Sequence, residues 1–523
     1  MDMEAFDGLA GKSPNRPAVV QESAVMVDSS FSHFCRDICV VLVKFVRDEP
    51  VKLKSLEVLS ESEIKHIHAA TLDILSDCGV KVLCRDMLDF LMRKGLIVDE
   101  QSQRVRFPKS CIEDTLSKIP HQFEVFDRNG NFVFVLGDRQ PKIAAGHNAV
   151  FWVDSDTGET RPSTVADVEL FARICHELDV IDMIGIPTMP QDVPEPRSSL
   201  LYGVRACIEN STKPIYFSTD NLKVNKACID MLRAAFEGNF EEQVYGVTQL
   251  SPTSPLYWER GVCEALMDTV NTGVPIAVLP EPNAGVSAPY TLAGLLTMNN
   301  AECLSGLAMI QLLKPGHKVM YANSWTVTNM TSGAALVGSV ETTVCRIAAA
   351  QLAKFYNVPS HTTAPNSDNH SHDEQNAWEK TFSQFCAIAA GHDLIVNCGM
   401  FATGLTCSHE QLLMDAEISA LAKRIAAGVN VTDETIAGDL MKKTGPQGET
   451  YLTTEHTLKW LRSGEYIRPG LSVSGPRALW EQQGSMDTYQ LAREKTRKYR
   501  NQLKAPFLPI EACARLDEIM DSF

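Results

Sequence analysis

The chain has 523 residues, of which 44% are hydrophobic and 22% are charged. This is the composition of an ordinary globular protein with a sizeable core, and the length predicts one large barrel with added segments or two to three domains. The 65 acidic and 48 basic residues give a formal net charge of −17. Because such a field repels phosphate backbones, it argues against nucleic acid as a partner, and it is compatible with a cationic substrate.

The N-terminus and the cysteines indicate a cytoplasmic protein. Residues 1–11 are acidic and mixed, unlike a signal peptide, and the apolar run at residues 38–46 is interrupted by Lys44 and too short to span a bilayer. The 15 cysteines form no CxxC pair and are expected to be reduced and buried. Residues 1–58 are predicted to be a partly disordered appendage with a short helix over residues 31–46. We therefore expect no membrane partner.

Residues 59–160 are predicted to form an α+β cap. Ser60 and Glu63 have the spacing of a capping box, which marks the start of a helix. Later in this segment, three runs have the alternation or length of β-strands: residues 123–126, 132–135 and 149–153. The change from helices to short strands within one segment predicts a mixed layer beside the main domain.

Residues 161–430 alternate regularly between strand and helix patterns. The predicted strands are residues 181–187, 214–218, 243–250, 275–279, 318–323, 360–363 and 394–398. This alternation predicts the α/β class and a (β/α)8 TIM barrel. The alternative is an open doubly wound sheet, which usually carries a glycine-rich phosphate turn, and neither GxGxxG nor GxxxxGK[ST] occurs.

Residues 431–523 are predicted to be a C-terminal helical segment that packs on the barrel. Its basic run, residues 493–500, is predicted to be the solvated face of an exposed helix rather than a binding patch.

The densest polar cluster follows the predicted strand at residues 360–363. Catalytic groups of a TIM barrel project from the C-terminal ends of the strands, so this position favours function. We predict a catalytic set here, with a neighbouring glutamine binding substrate: Asp368, His370, His372, Asp373 and Gln375. The alternative is a hydrated loop in which Asp373 caps the following helix.

The His370-x-His372 spacing also raises the hypothesis of a metal-dependent barrel hydrolase, since such a pair with a nearby aspartate can bind zinc. The histidine pair of barrel metallohydrolases usually lies on the first strand, and no matching histidine follows a later strand here. We therefore expect no metal ligands and keep the hydrolase as an alternative.

Aromatic residues near predicted strand ends form a second candidate group. Such rings can surround a quaternary ammonium, each contributing on the order of 0.5–2 kcal/mol through cation–π contacts, although for each ring taken alone core packing is the favoured interpretation. The candidate walls of this substrate site are Tyr257, Trp258, Tyr321, Trp325 and Phe401. Glu281 and Asn323 are further polar candidates at strand ends.

The chain also resembles the trimethylamine/glycine betaine methyltransferase family from about Leu59 to Leu516. The resemblance rests on the order and spacing of several short pieces: residues 67–75, 78–80, 212–215, 300–302, 311–316, 367–368 and 373–375, then Thr457, Leu458, Trp480, Gly484 and Asp487.

The family resemblance implies a (β/α)8 barrel, a methylated-amine substrate and transfer of the methyl group to the Co(I) of a corrinoid (cobalamin) carried by a partner protein. Trimethylamine-specific members carry pyrrolysine, and this chain has only standard residues over the corresponding segment, residues 360–375. The resemblance therefore favours members without pyrrolysine, which include glycine betaine methyltransferases. Aromatic rings would surround the ammonium while His370 or His372 binds a carboxylate.

Two alternatives to this methyltransferase remain open. One is the metal-dependent hydrolase, and the other is a non-catalytic protein that binds betaine-like osmolytes. The sequence further leads us to expect no tightly bound cofactor, a cognate corrinoid protein as partner, and a homo-oligomer.

Overall fold

The computed structural model describes residues 51–194 and 199–523. The helix predicted over residues 31–46, and all but the last eight residues of the predicted appendage, lie outside the described residues.

The main domain is a closed barrel of eight parallel strands. In chain order the strands are β1 (Lys142–Ala145), β2 (Met183–Gly185), β3 (Ile215–Ser218), β4 (Gly246–Leu250), β5 (Ile276–Val278), β6 (Val319–Asn323), β7 (Ser360–Thr363) and β8 (Leu394–Cys398). Each strand pairs with the next along the chain, and β8 pairs with β1 to close the barrel. The predicted TIM barrel is therefore confirmed.

One helix follows each strand, which completes eight βα units. The helices are α1 (Val165–Glu177), α2 (Ser199–Asn210), α3 (Leu222–Ala235), α4 (Arg260–Thr269), α5 (Leu292–Leu313), α6 (Val340–Tyr356), α7 (Glu374–Ala390) and α8 (His409–Ala427). Several begin at residues that cap helices well, such as Thr164 before α1 and Ser408 before α8.

The barrel begins earlier than the predicted boundary at residue 161. Its first strand, β1, lies inside the segment that we assigned to the cap. This strand is only four residues long, and a hairpin of Phe151–Val153 and Thr160–Arg161 separates it from α1. The inserted hairpin interrupts the regular spacing of strand and helix, so the sequence pattern shows seven strands rather than eight.

An apolar hairpin closes the N-terminal end of the barrel. Its strands are Phe123–Phe126 and Phe132–Leu136, and their inward side chains share one hydrophobic cluster with residues inside the barrel such as Val247 and Leu394. Val125 also pairs with Val244, just before β4. The interior is therefore filled and covered at this end, and the opposite end is left for a site.

The cap consists of helices and a small sheet that pack beside the barrel. Its helices are Glu61–Asp77, Arg85–Arg93 and Lys109–Leu116, and the first has the predicted capping box between Ser60 and Glu63. The sheet orders its strands as Tyr257–Trp258, Val80–Val82, Arg104–Arg106 and Ile97–Asp99.

Two further small sheets and the C-terminal helices complete the described fold. The sheets consist of Met400–Phe401, Thr406–Cys407, Phe151–Val153 and Thr160–Arg161, and of Asn283–Ala284, Thr326–Thr328 and Ala335–Leu336. The helices are Asp433–Ile436, Gly438–Thr444, Glu455–Trp460, Arg477–Gln482, Thr488–Gln502 and Ile510–Ser522, with a 3-10 turn at Gly445–Gln447. In the part of the chain that the structure describes, no helix has the length and apolar character needed to cross a membrane.

The predicted basic run lies on the helix Thr488–Gln502. Two of its side chains, Arg497 and Arg500, contact the carboxylate of Asp156 on the hairpin that follows β1. Arg493 donates to the backbone carbonyl of Ser155 in the same turn. Part of this face therefore joins the C-terminal helix to the hairpin.

Candidate active site

Polar side chains collect inside the barrel near the C-terminal ends of its strands. In parallel strands, alternate residues point into the barrel, and a catalytic site of this fold forms where the strands end. The layer consists of His147 just after β1, Tyr216 on β3, Gln249 on β4, His361 on β7 and Asn397 on β8. These positions come from five different strands, and the fold brings them together.

His147 lies between two amide side chains. Its Nδ1 is 3.1 Å from Asn397 Oδ1, and its Nε2 is 2.8 Å from Gln249 Oε1. The hydroxyl of Tyr216 donates to the same Gln249 oxygen at 2.5 Å. Burial lowers the pKa of His147, and its two hydrogen bonds partly oppose that effect. Burial therefore favours the neutral form of the imidazole.

His361 presents two free ring nitrogens inside this layer. Its ring is stacked on that of Tyr216, and neither nitrogen has a hydrogen-bond partner among the described residues, although the side chain is fully buried. Burial, followed by the charges of His147 and His392, holds the pKa of His361 well below its usual value. A buried polar group without a partner is costly, so these nitrogens are suited to a ligand.

Glu281 is the acidic member of the site. It follows β5, and desolvation of its carboxyl group by the surrounding protein raises its pKa to about 7. After burial, the charge of Glu281 also raises the pKa of Tyr216, so the two side chains interact electrostatically. The sequence predicted Glu281 as a substrate-binding residue, and the structure places it beside the polar layer.

Three of the predicted cage aromatics face the helices rather than the barrel interior. Tyr321 donates its hydroxyl to Asn300 on α5 at 3.0 Å. The indole of Trp258 donates to Ser305, and that of Trp325 donates to a carbonyl on α6. All three rings are fully buried in the cluster between the strands and the helices. On β6, the neighbours of Tyr321 point inward instead, because side chains alternate along a strand.

Tyr257 and Phe401, the other two predicted cage aromatics, lie in different parts of the structure. Tyr257 belongs to the small sheet of the cap, where Lys81 Nζ lies 5.4 Å from its ring centroid. Phe401 is buried with its ring centroid 4.7 Å from that of His372. The structure therefore does not bring the five rings together into one cage. Asn323 is buried as well, accepting from Thr362 and donating to a backbone carbonyl.

The predicted polar loop after β7 connects neighbouring segments. Asp368 accepts from the backbone N–H groups of Val337 and Gly338, at 2.8 and 3.0 Å, and from the hydroxyl of Thr403. Asp373 caps α7 by accepting from two backbone N–H groups. The side-chain amide of Gln375 donates to the Glu379 carboxylate on the next turn.

The two histidines of this loop lie in different surroundings. His370 is exposed. His372 lies between Phe401 and Tyr489, stacked on the second ring at 4.5 Å, and burial lowers its pKa to about 4. The two rings therefore do not form a pair. The catalytic roles assigned to Asp368, His370, His372 and Asp373 stay predictions.

Sequence reasoning missed all five members of the polar layer, including His147, which follows the one barrel strand that was not predicted. Tyr216, Gln249, His361 and Asn397 all lie on strands that were predicted from the sequence. The available signal was a polar or aromatic residue within a strand that is otherwise apolar or fully buried. Such a residue in a barrel strand is costly unless it serves a site or a hydrogen-bond network.

No group of three or more histidine, cysteine, aspartate or glutamate side chains suited to a metal ion occurs within residues 51–194 and 199–523.

A closed (β/α)8 barrel with polar groups converging where its strands end is the architecture of a TIM-barrel enzyme. The sequence model of one family, described as trimethylamine methyltransferase (MTTB), matches residues 43–522. The chain belongs to this family, and it is a methyltransferase.

Named relatives match over most of their length. A trimethylamine methyltransferase of Desulfitobacterium hafniense (strain DSM 10664 / DCB-2) is 28% identical, over 88% of this chain and 93% of the relative. One from Methanosarcina thermophila is 30% identical, over 84% and 92%. A glycine betaine methyltransferase of Desulfitobacterium hafniense (strain Y51) is 27% identical, over 89% and 96%.

Proposed function

We propose that this enzyme transfers a methyl group from a quaternary ammonium compound, with glycine betaine as the first candidate, to the Co(I) of a corrinoid held by a partner protein. The observation that carries the proposal is the position of Glu281 after β5, where its charge acts on Tyr216, whose ring is stacked on that of His361. An anion among neutral polar groups is suited to bind a cation.

The reaction needs little acid–base chemistry from the protein. The electron pair of Co(I) attacks the methyl carbon, the Co–C bond forms, and the C–N bond breaks. The electrons of the C–N bond stay on nitrogen, so a quaternary ammonium leaves as a neutral tertiary amine. No proton is required at nitrogen, and the protein contributes by positioning the methyl group and excluding water.

Glu281 and His361 would bind opposite ends of a betaine. A cation beside Glu281 stabilises its carboxylate form, which desolvation by the surrounding protein disfavours. The carboxylate of a betaine then accepts a hydrogen bond from whichever nitrogen of His361 carries the proton. These contacts hold both ends of a zwitterion without a metal ion.

The closed N-terminal end of the barrel supports an approach of the corrinoid from the other side. The hairpin of Phe123–Phe126 and Phe132–Leu136 fills the N-terminal end with apolar side chains. A partner protein would therefore present its corrinoid at the C-terminal ends of the strands, where His361 and Glu281 lie.

The test is methyl transfer by the purified chain. Glycine betaine, trimethylamine and tetramethylammonium would each be incubated with the enzyme and cob(I)alamin, and methylcobalamin formation followed by absorbance. We expect methylcobalamin and dimethylglycine from glycine betaine, and faster turnover of quaternary than of tertiary substrates. Turnover of trimethylamine alone would contradict the quaternary assignment. Tight binding of betaine with no methyl transfer to cob(I)alamin or to a corrinoid protein would favour the non-catalytic binding protein.

A further inference from the structure

We propose that two asparagine amides hold the proton of His147 on Nδ1, so that Nε2, beside Gln249, is the only atom of this imidazole that gains and loses a proton. The proposal concerns the hydrogen bonds of His147 itself and does not depend on which reaction the enzyme performs.

The chain of hydrogen bonds starts at a group that can only accept. The backbone carbonyl of Thr363, at the end of β7, lies 2.8 Å from Asn366 Nδ2. If the Asn366 amide were reversed, two oxygens would face each other, so its nitrogen must point to Thr363. The backbone N–H of Asn366 is also held, donating to Ser383 on α7 at 2.9 Å. Asn366 Oδ1 is thereby directed at Asn397.

The orientation of Asn366 fixes that of the Asn397 amide, and therefore which Asn397 atom faces His147. Asn397 Nδ2 donates to Asn366 Oδ1 at 2.8 Å, so Asn397 Oδ1 is the atom that faces His147 Nδ1 at 3.1 Å. A carbonyl oxygen accepts hydrogen bonds and cannot donate them. His147 Nδ1 must therefore carry a hydrogen whenever this contact is made.

The protonation state of His147 Nε2 then determines the orientation of the Gln249 amide. A neutral His147 protonated on Nδ1 has its lone pair on Nε2, and this atom needs a donor from Gln249. The contact of Nε2 with Gln249 Oε1 at 2.8 Å is the arrangement of the imidazolium form, in which both nitrogens donate. In the neutral form the Gln249 amide turns, so that its NH2 group donates to His147 and its oxygen accepts from Ser251.

Protonation of His147 is thereby linked to the direction of the hydrogen bonds that Gln249 and Tyr216 make. When Gln249 turns, the hydroxyl of Tyr216 changes from donating to Gln249 to accepting from it. The other titratable groups facing this part of the interior are His361, stacked on Tyr216, and Glu281, which acts on Tyr216 electrostatically. His147 is therefore a positioning residue, which acts on the site through Gln249 and Tyr216.

Nitrogen NMR of the histidine rings tests the proposal directly. The full chain would be labelled with 15N in histidine, and the His147 signals assigned by their loss in His147→Gln. At neutral pH we expect Nδ1 at the chemical shift of a protonated nitrogen and Nε2 at that of a nitrogen with a lone pair. On acidification only Nε2 should change to the protonated shift. A wild-type His147 protonated on Nε2, with a lone pair on Nδ1, would overturn the proposal.

Two variants show whether the asparagines are the cause. Asn366→Ala frees the Asn397 amide to turn, so His147 should lose its single tautomer and show averaged shifts. Asn225→Ala is the matched control, because Asn225 is also a buried amide with two side-chain hydrogen bonds, to Thr248 and Thr269, but lies in the layer between strands and helices. An unchanged tautomer in Asn366→Ala would contradict the proposal. Should that variant fail to fold, the wild-type tautomer decides the question.

Discussion

The ring of His361 lies parallel to the ring of Tyr216, with centroids 5.2 Å apart and an angle of 12° between the planes. Tyr216 lies on β3 and His361 on β7, 145 positions apart in the chain, and they meet across the barrel interior. Stacking holds the face of the imidazole in place and leaves both ring nitrogens without hydrogen-bond partners among residues 51–194 and 199–523. The site is therefore held rigid by packing and kept open for polar contacts.

Replacing Glu281 with glutamine should weaken the binding of a quaternary ammonium by about tenfold to a hundredfold, the effect of losing a charged contact worth roughly 1.5–3 kcal/mol. Isothermal titration with tetramethylammonium measures this change. The matched control is Glu302→Gln, since Glu302 also has a pKa raised to about 7 but bonds to Ser254 and Leu256 away from the barrel interior. Equal losses in both variants would point to a general effect on folding.

The affinity for a cationic substrate should depend on pH through Glu281. Its pKa of about 7 lies above the ordinary value of 4.5, so the carboxyl group takes up a proton as the pH falls through 7. The protonated form has no charge with which to bind a cation, so the dissociation constant should rise below pH 7, by up to about tenfold per pH unit. Titrations from pH 5.5 to pH 8.5 check this, and Glu281→Gln should give a flat profile. A pH-dependent wild type with an equally pH-dependent Glu281→Gln would assign the effect to another group.

The His361→Phe substitution separates the stacking of His361 from its hydrogen bonds. Phenylalanine keeps a flat ring against Tyr216 but has no nitrogen to meet a substrate carboxylate. We expect kcat/KM to fall for glycine betaine more than for tetramethylammonium, which has no carboxylate, by roughly tenfold for one hydrogen bond to a charged group. Equal changes for both substrates would mean that the ring nitrogens do not contact the carboxylate. Thermal unfolding of the variant shows whether the stacked pair is preserved.

The sequence prediction for His370 and His372 can be tested by replacing each with alanine. Binding of a substrate carboxylate by either histidine predicts a loss of affinity of about tenfold to a hundredfold. The packing of His372 between Phe401 and Tyr489 predicts in addition a lower unfolding temperature for His372→Ala, whereas the exposed His370 should tolerate the change. Substrate titration and thermal unfolding of both variants distinguish the two contributions. Full affinity and turnover in both would rule out the predicted roles.

The buried ion pair between Lys380 and Asp415 should be important for stability. Lys380 Nζ lies 2.8 Å from Asp415 Oδ2, both side chains are fully buried, and the ammonium also donates to two backbone carbonyls. Lys380→Met leaves the Asp415 carboxylate without its cation, so the free energy of unfolding should fall by about 3–5 kcal/mol. Denaturant unfolding measures this. The double variant Lys380→Met, Asp415→Leu should recover part of the loss, and no recovery would indicate that packing, not charge, is responsible.

The architecture of this protein was largely determined by local sequence patterns. Regular alternation of apolar strands with amphipathic helices predicted seven of the eight barrel strands, because each pattern reflects the burial of one element against the next. The strand at Lys142–Ala145 was not predicted, because it is short and is followed by an inserted hairpin instead of a helix. Ser60 and Glu63 marked the start of the first cap helix correctly, since a capping box is a local arrangement.

The composition of the site was decided only by the tertiary structure. Parallel barrel strands are buried on both faces, so apolar residues occupy inward and outward positions alike and the sequence does not show which side chains enter the barrel. On β6, Met320 and Ala322 point inward while Tyr321, the predicted wall of the site, packs against α5. The partnership of Tyr216 with His361 likewise required closure of the barrel, because only closure places strands far apart in the chain across one interior.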